Sequence, residues 1–239
     1  MEKFVQLYAK SNSGNLPKLS STVNLTPPRE LKHCRGFTLA EILITLTVIG
    51  VIAALTIPTL LQNTNQAELK ATWKKEFADL NQATISIVND AGGTFKGSFS
   101  NGVDARDKYL SKLSYIKSCS GSRWEGCWHI PNESSGYDGT PNPVNFNIPG
   151  AILSNGTLIT FLGFNPDCTT NWGDDFNFCG ELVVDVNGFK KPNAYGKDIF
   201  AAFITENLLL PRGAHESFTD CIGVGSESGI SCSATYLYE

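Results

Sequence analysis

The sequence predicts an α+β fold in which one long N-terminal helix, half membrane-spanning and half amphipathic, packs on a small antiparallel sheet with disulfide-bonded loops. Three observations predict it. An apolar run from Phe37 to Leu61 continues into a helical repeat that reaches Asp90; short strand-like runs meet at Asn-Gly turns; and six cysteines fall in Gly-rich and Ser-rich sequence after residue 110.

Composition bounds the class. A chain of 239 residues with 41% hydrophobic side chains holds one core-bearing domain, or a small domain plus a membrane segment. Charged residues make up 18%, with 22 Gly and 11 Pro, which excludes a disordered or collagenous chain. The net charge is −4, but residues 1–36 carry six Lys/Arg against two Glu, leaving 13 basic and 21 acidic side chains, a balance of −8, in the rest. A basic head thus precedes an acidic body. An acidic body offers phosphate backbones little to pair with, so no nucleic acid is expected as a partner of the folded part.

The head, residues 1–36, leads into the run 37–61, which has 25 residues and a single ionisable side chain, Glu41. At about 1.5 Å per residue this exceeds the roughly 30 Å hydrocarbon core, so it spans a membrane once. Arg29, Lys32 and Arg35 just upstream hold the head in the cytoplasm and send the C-terminal body out. One reading is a secretory signal cleaved after Val51-Ile52-Ala53, releasing a secreted or surface binding and adhesion module rich in disulfides. Against it, the apolar run continues to Leu61, and a disposable signal has no use for Glu41, since a carboxylate at the bilayer centre costs roughly 2.5 kcal/mol or more.

The second reading starts from Arg35-Gly36-Phe37-Thr38-Leu39-Ala40-Glu41. This junction, with its basic residue, Gly and Phe-Thr-Leu-x-Glu opening a hydrophobic helix, resembles the prepilin leader junction of type IV pilins and type II secretion pseudopilins. Pro58, twenty-two residues into the mature chain, matches a kink-forming proline of these helices; the 36-residue leader is longer than many. The resemblance implies cleavage after Gly36 by a prepilin peptidase, N-methylation of Phe37 and retention of the whole helix. It also implies a pilin-like fold, insertion in the inner membrane as a single-pass precursor, and assembly by an inner-membrane platform into a periplasmic or extracellular filament. Partners would be other pilin-like subunits, the peptidase, the platform and membrane lipid.

Charge supports that reading separately. Cleavage after Gly36 exposes an α-amino group with an ordinary pKa of about 7.7–8.0 at the end of an apolar helix. Glu41, the fifth mature residue, lies about one turn in, where it answers its own amine or that of a neighbouring subunit. The macrodipole also favours a carboxylate there.

Beyond Leu61 the repeat Leu69, Trp73, Phe77, Leu80, Thr84 and Ile87 predicts an amphipathic continuation over 62–92, closed by Ala91-Gly92-Gly93. From 37 to about 90 the rod has some 54 residues, roughly 80 Å long. The exported domain, 93–239, opens with loop-rich sequence to about Asn145, interrupted by a short helical stretch near Asp104 to Ile116. Strands are expected at 151–153, 157–162 and 181–186, in a meander of three or four turning at Asn155-Gly156 and Asn187-Gly188.

Cys34 leaves with the leader, and Cys119, Cys127, Cys168, Cys179, Cys221 and Cys232 remain. An even count in an exported, loop-rich domain argues for disulfides, although six cysteines allow fifteen pairings. Sequential neighbours are favoured because each pair brackets one loop-like segment. Zinc is disfavoured by the intervening lengths of seven, ten and ten and by the lack of Cys-x-x-Cys.

Residues 185–200 concentrate oxygen ligands and turn formers. Asp185, Asn187, Asn193 and Asp198 are candidate calcium ligands, as in certain type II pseudopilins, but no EF-hand spacing is present. The competing reading, placed first, has Asn187-Gly188 and Pro192-Asn193 forming turns and Asp198 capping backbone amides. No cofactor other than calcium is indicated. No nucleophile motif frames His33, His129 or His215, so no catalytic residue and no enzyme activity is expected. Trp124, Trp128, Trp172, Tyr137 and Tyr195 read as filler of a small core ahead of a ligand-binding patch.

Overall fold

Residues 39–90 carry neither Gly nor Pro except Gly50 and Pro58 and form one helix, α1 (Leu39–Asp90, 52 residues). It ends where Gly92 and Gly93 take φ of +87° and +105°, a region side chains avoid, and Gly93 N–H closes the last turn on Val88 O at 2.8 Å. The computed structural model describes residues 36–121, 125–143, 148–171, 176–214, 221 and 223–239. The leader up to Arg35, Arg123, Trp124, Trp172 and His215 lie outside them. The chain divides into two units at Gly50 and Val51. In the first, residues 36–50 are exposed throughout and helical from Leu39.

The second unit holds the sheet. Its described residues form β1 (Tyr115–Cys119), β2 (Gly150–Leu153), β3 (Leu158–Leu162), β4 (Gly180–Asp185), β5 (Ile199–Ile204) and β6 (Leu209–Pro211), all antiparallel and paired in chain order. This is the expected α+β meander, with six strands where three or four were read. The additions are β1, whose residues 115 and 116 fall in the stretch read as helical, and β5 and β6. A short helix, α2 (Gly102–Leu110), precedes β1, capped by Asn101 Oδ1 on the N–H groups of Val103 and Asp104. A C-terminal helix, α3 (Cys232–Tyr238), closes the chain.

Trp73, Leu80, Ala83, Ile87 and Val88 of α1 join one face of the sheet in the main core, with Phe161, Leu182, Val184, Phe200 and Ala202. Spacings of seven, three and four put Trp73, Leu80, Ala83 and Ile87 on one stripe, with Val88 beside it. Trp73, fully buried, stacks on Phe200 at 4.9 Å and donates Nε1–H to Ser233 O at 2.9 Å, which ties α3 to α1. The opposite face, with Leu158, Val183, Ile199 and Ala201, is covered by Trp128 and Tyr195. Among the described residues, disulfides join Cys119–Cys127, Cys168–Cys179 and Cys221–Cys232.

Candidate functional site

The start of α1 is built as a reciprocal cap. Glu41 Oε2 accepts from Thr38 N–H at 2.8 Å and from Thr38 Oγ1 at 2.9 Å, while Thr38 Oγ1 accepts from Glu41 N–H at 3.2 Å. Thr38-x-x-Glu41 is the capping-box pattern, so two amides that the helix cannot satisfy are answered locally. The Phe-Thr-Leu-x-Glu junction and the charge reasoning both put Glu41 at a helix start; the Thr-x-x-Glu spacing was the signal for its partner. Ahead of the cap, Phe37 is 83% exposed, and a side chain added at Gly36 would meet nothing within 4 Å.

From Leu39 to Pro58 the helix is long and apolar enough to cross a membrane, with mean hydropathy 2.3 and none of that window buried within the protein. Its hydroxyls are satisfied internally. Thr45, Thr47 and Thr56 donate to the carbonyls of Ile42, Leu43 and Ile52 at 3.0, 2.7 and 2.9 Å, as an apolar solvent demands. Pro58 sits inside the helix and has no N–H to give the turn before it.

The second expected site, around 185–198, is brought together at the ends of β4 and β5. Asp198 Oδ2 and Oδ1 accept from the backbone N–H groups of Asn193 and Ala194 at 2.8 and 2.7 Å. Asp185 Oδ1 accepts from Asn187 N–H at 3.1 Å, and its Oδ2 shares a 2.8 Å hydrogen bond with His129 Nε2. Both carboxylates are fully buried. Burial pushes the Asp185 carboxyl up to about 7, with the His129 hydrogen bond pulling against it and the Asp198 charge adding to the rise. Burial likewise raises Asp198, against its two backbone N–H donors.

All four carboxylate oxygens therefore already hold a protein partner. Asn187 Oδ1 and Asn193 Oδ1 are buried without a hydrogen-bond partner; of the six side-chain oxygens that the four candidates offer, these two hold no protein donor, and calcium takes six to eight oxygens, backbone carbonyls among them. Among the described residues no group of three or more His, Cys, Asp or Glu is arranged to hold a metal. As placed, the loop fits the turn-and-cap arrangement. His129, 56 residues from Asp185, had no sequence signal linking it to that carboxylate. Its side chain is 1% exposed, so the pair is a buried brace between the 128–129 segment and the end of β4. Trp128 and Tyr195 are buried in the core of the second face.

Residues 31–57 match the family model described as the prokaryotic N-terminal methylation motif. Compared with curated proteins and with solved structures, the chain matches none. The motif match supports the type IV pilin and pseudopilin family, and the long helix, antiparallel sheet and disulfides form an α+β pilin-like fold. A prepilin-type precursor, with one apolar helix as a single-pass anchor for an exported domain, fits both.

Proposed function

We propose that this chain is a structural subunit of a pilin-like filament. It is made as a precursor in the inner membrane, cleaved after Gly36 by a prepilin peptidase, methylated at Phe37, and stacked through α1 into a type IV pilus or a type II secretion pseudopilus. The working parts are the leader 1–36, the membrane half 37–61, the amphipathic half 62–92 and the exported domain 93–239. Its partners are other pilin-like subunits, the peptidase and an inner-membrane assembly platform, and its role is structural rather than catalytic.

One observation carries the reading: the methylation motif, an exposed Phe37 and a lone carboxylate coincide at the start of an otherwise uncharged apolar helix. Thr38, the residue next to the amine that cleavage would create at Phe37, holds the Glu41 carboxylate at the helix start. In a packed bundle of such helices the two charges neutralise each other, and removing one leaves a buried unpaired charge costing on the order of 3–5 kcal/mol. A monomer anchored alone keeps that end near lipid headgroups and loses little. Glu41→Ala is therefore expected to be made, exported and cleaved after Gly36, yet to stay out of filaments and fail to crosslink to wild-type subunits. Assembly at the wild-type level would sink the proposal.

A further inference from the structure

The loop that joins β4 to β5 departs from the charge of the domain that carries it. Its apex is Phe189, 52% exposed, followed by exposed Lys190 and Lys191, in a domain, 93–239, whose balance is −6. Neither lysine makes an ion pair among the described residues, and neither does exposed Lys74 on α1. The apex is also held firmly from below. Asp185 takes the Asn187 N–H, Asp198 takes those of Asn193 and Ala194, and the His129 ring meets the edge of Phe189 at 5.4 Å. An exposed aromatic flanked by two unpaired lysines, on a braced loop, has the chemistry of an interfacial anchor: the ring enters the headgroup boundary and the ammonium groups meet lipid phosphates.

Its place in the domain agrees. Phe200, next to the loop's end, stacks on Trp73, and Asn155 of the β2–β3 turn donates to Glu76 at 2.6 Å. Gly188 lies against that same turn: a Cβ there would come 2.6 Å from Gly156 O. The opposite end of the sheet meets the far end of α1, where Leu209 N–H reaches Asn81 and Phe95 N–H reaches Glu206. The loop therefore lies at the Trp73 end, from which α1 runs back toward Pro58, the last residue of the apolar window. Fifteen residues of helix separate Pro58 from Trp73, about 22 Å. The headgroup layer and one Debye length cover roughly 15 Å of this, and the loop leaves the sheet at the Asp185–Ile199 pair, at that same end.

We propose that Phe189, Lys190 and Lys191 form a foot that seats on the anionic phospholipid surface of the membrane holding α1, steadying the subunit before it enters a filament. This rests on the membrane-anchor reading of α1. The test uses the full chain reconstituted into phosphatidylcholine bilayers and into bilayers with a third of the lipid replaced by phosphatidylglycerol. Amide exchange over 187–191, and tryptic cleavage between Lys190 and Lys191, should slow on the order of tenfold in the anionic bilayer only, and 1 M salt should abolish the difference. In K190Q/K191Q the exchange difference should vanish while the amides of β4 and β5 stay as protected as before, and Phe189→Ala should reduce it. Equal exchange in the two bilayers, or protection that survives K190Q/K191Q, overturns the foot while leaving the anchor in place. A chain that inserts into neither bilayer overturns the anchor and the foot together.

Discussion

Glu76 is 2% exposed on the sheet-facing side of α1, where Oε1 accepts from Asn155 Nδ2 at 2.6 Å with Lys75 Nζ at 3.5 Å. Burial raises its pKa above the ordinary 4.5, with the Lys75 charge and the Asn155 hydrogen bond pulling the other way. A raised carboxyl binds its proton more tightly folded than unfolded. Its contribution to stability is thus complete below about pH 4.5 and is lost as pH rises through the folded value. Glu76→Gln keeps the acceptor for Asn155 and cannot titrate, so relative to wild type it should gain melting temperature as pH climbs from 4.5 toward neutrality. A difference independent of pH would refute this. Asp198 answers its burial with two backbone N–H donors, and Asp198→Ala should cost on the order of 3 kcal/mol by orphaning them. Added calcium should leave the wild-type melting temperature unchanged; a rise that Asp198→Ala abolishes would make the loop a calcium site. At this scale the sequence was legible where partners are close along the chain, as in Asp198 with 193 and 194. It was opaque for His129 with Asp185, because side chains 56 residues apart meet only through the fold.

At the scale of elements, periodicity was read well wherever one face stays wet. The stripe Leu69, Trp73, Phe77, Leu80, Thr84, Ile87 and the closing Gly92-Gly93 located α1 and its end. β5, Ile-Phe-Ala-Ala-Phe-Ile, escaped notice because all six residues are buried: α1 covers one face and the Trp128–Tyr195 cluster the other, so no alternation survives. β1 escaped for the opposite reason, since four of its five residues are exposed at the sheet edge. The cysteine count implied a disulfide framework, while the choice among fifteen pairings rested on loop length. The three bonds in the structure each close a short loop. Free-thiol labelling of the denatured, unreduced mature protein should find essentially none, and peptide mapping should recover those neighbours. Reduction should remove about 2–4 kcal/mol of stability per bond, whereas six reactive thiols or bound zinc would refute the framework.

Over the whole molecule, the distribution of charge and apolar surface assigns the parts. The head has six basic residues; the helix after it carries twenty apolar-dominated residues with none of their window buried; the domain that follows, 93–239, buries a two-faced sheet and balances at −6. A helix that buries nothing of that window within its own chain needs another solvent, which on the proposed reading would be the bilayer and then neighbouring helices. The central claim, that the basic head is removed at Gly36 and the apolar helix kept, makes a different mature protein from either alternative. The deciding measurement is the N-terminal sequence and intact mass of the protein recovered from its native membrane. The expected mature chain begins at N-methylated Phe37. A chain beginning at Ala54 would mean a secreted module whose helix was only a signal, and one still beginning at Met1 would mean an uncleaved anchor; either result contradicts the account.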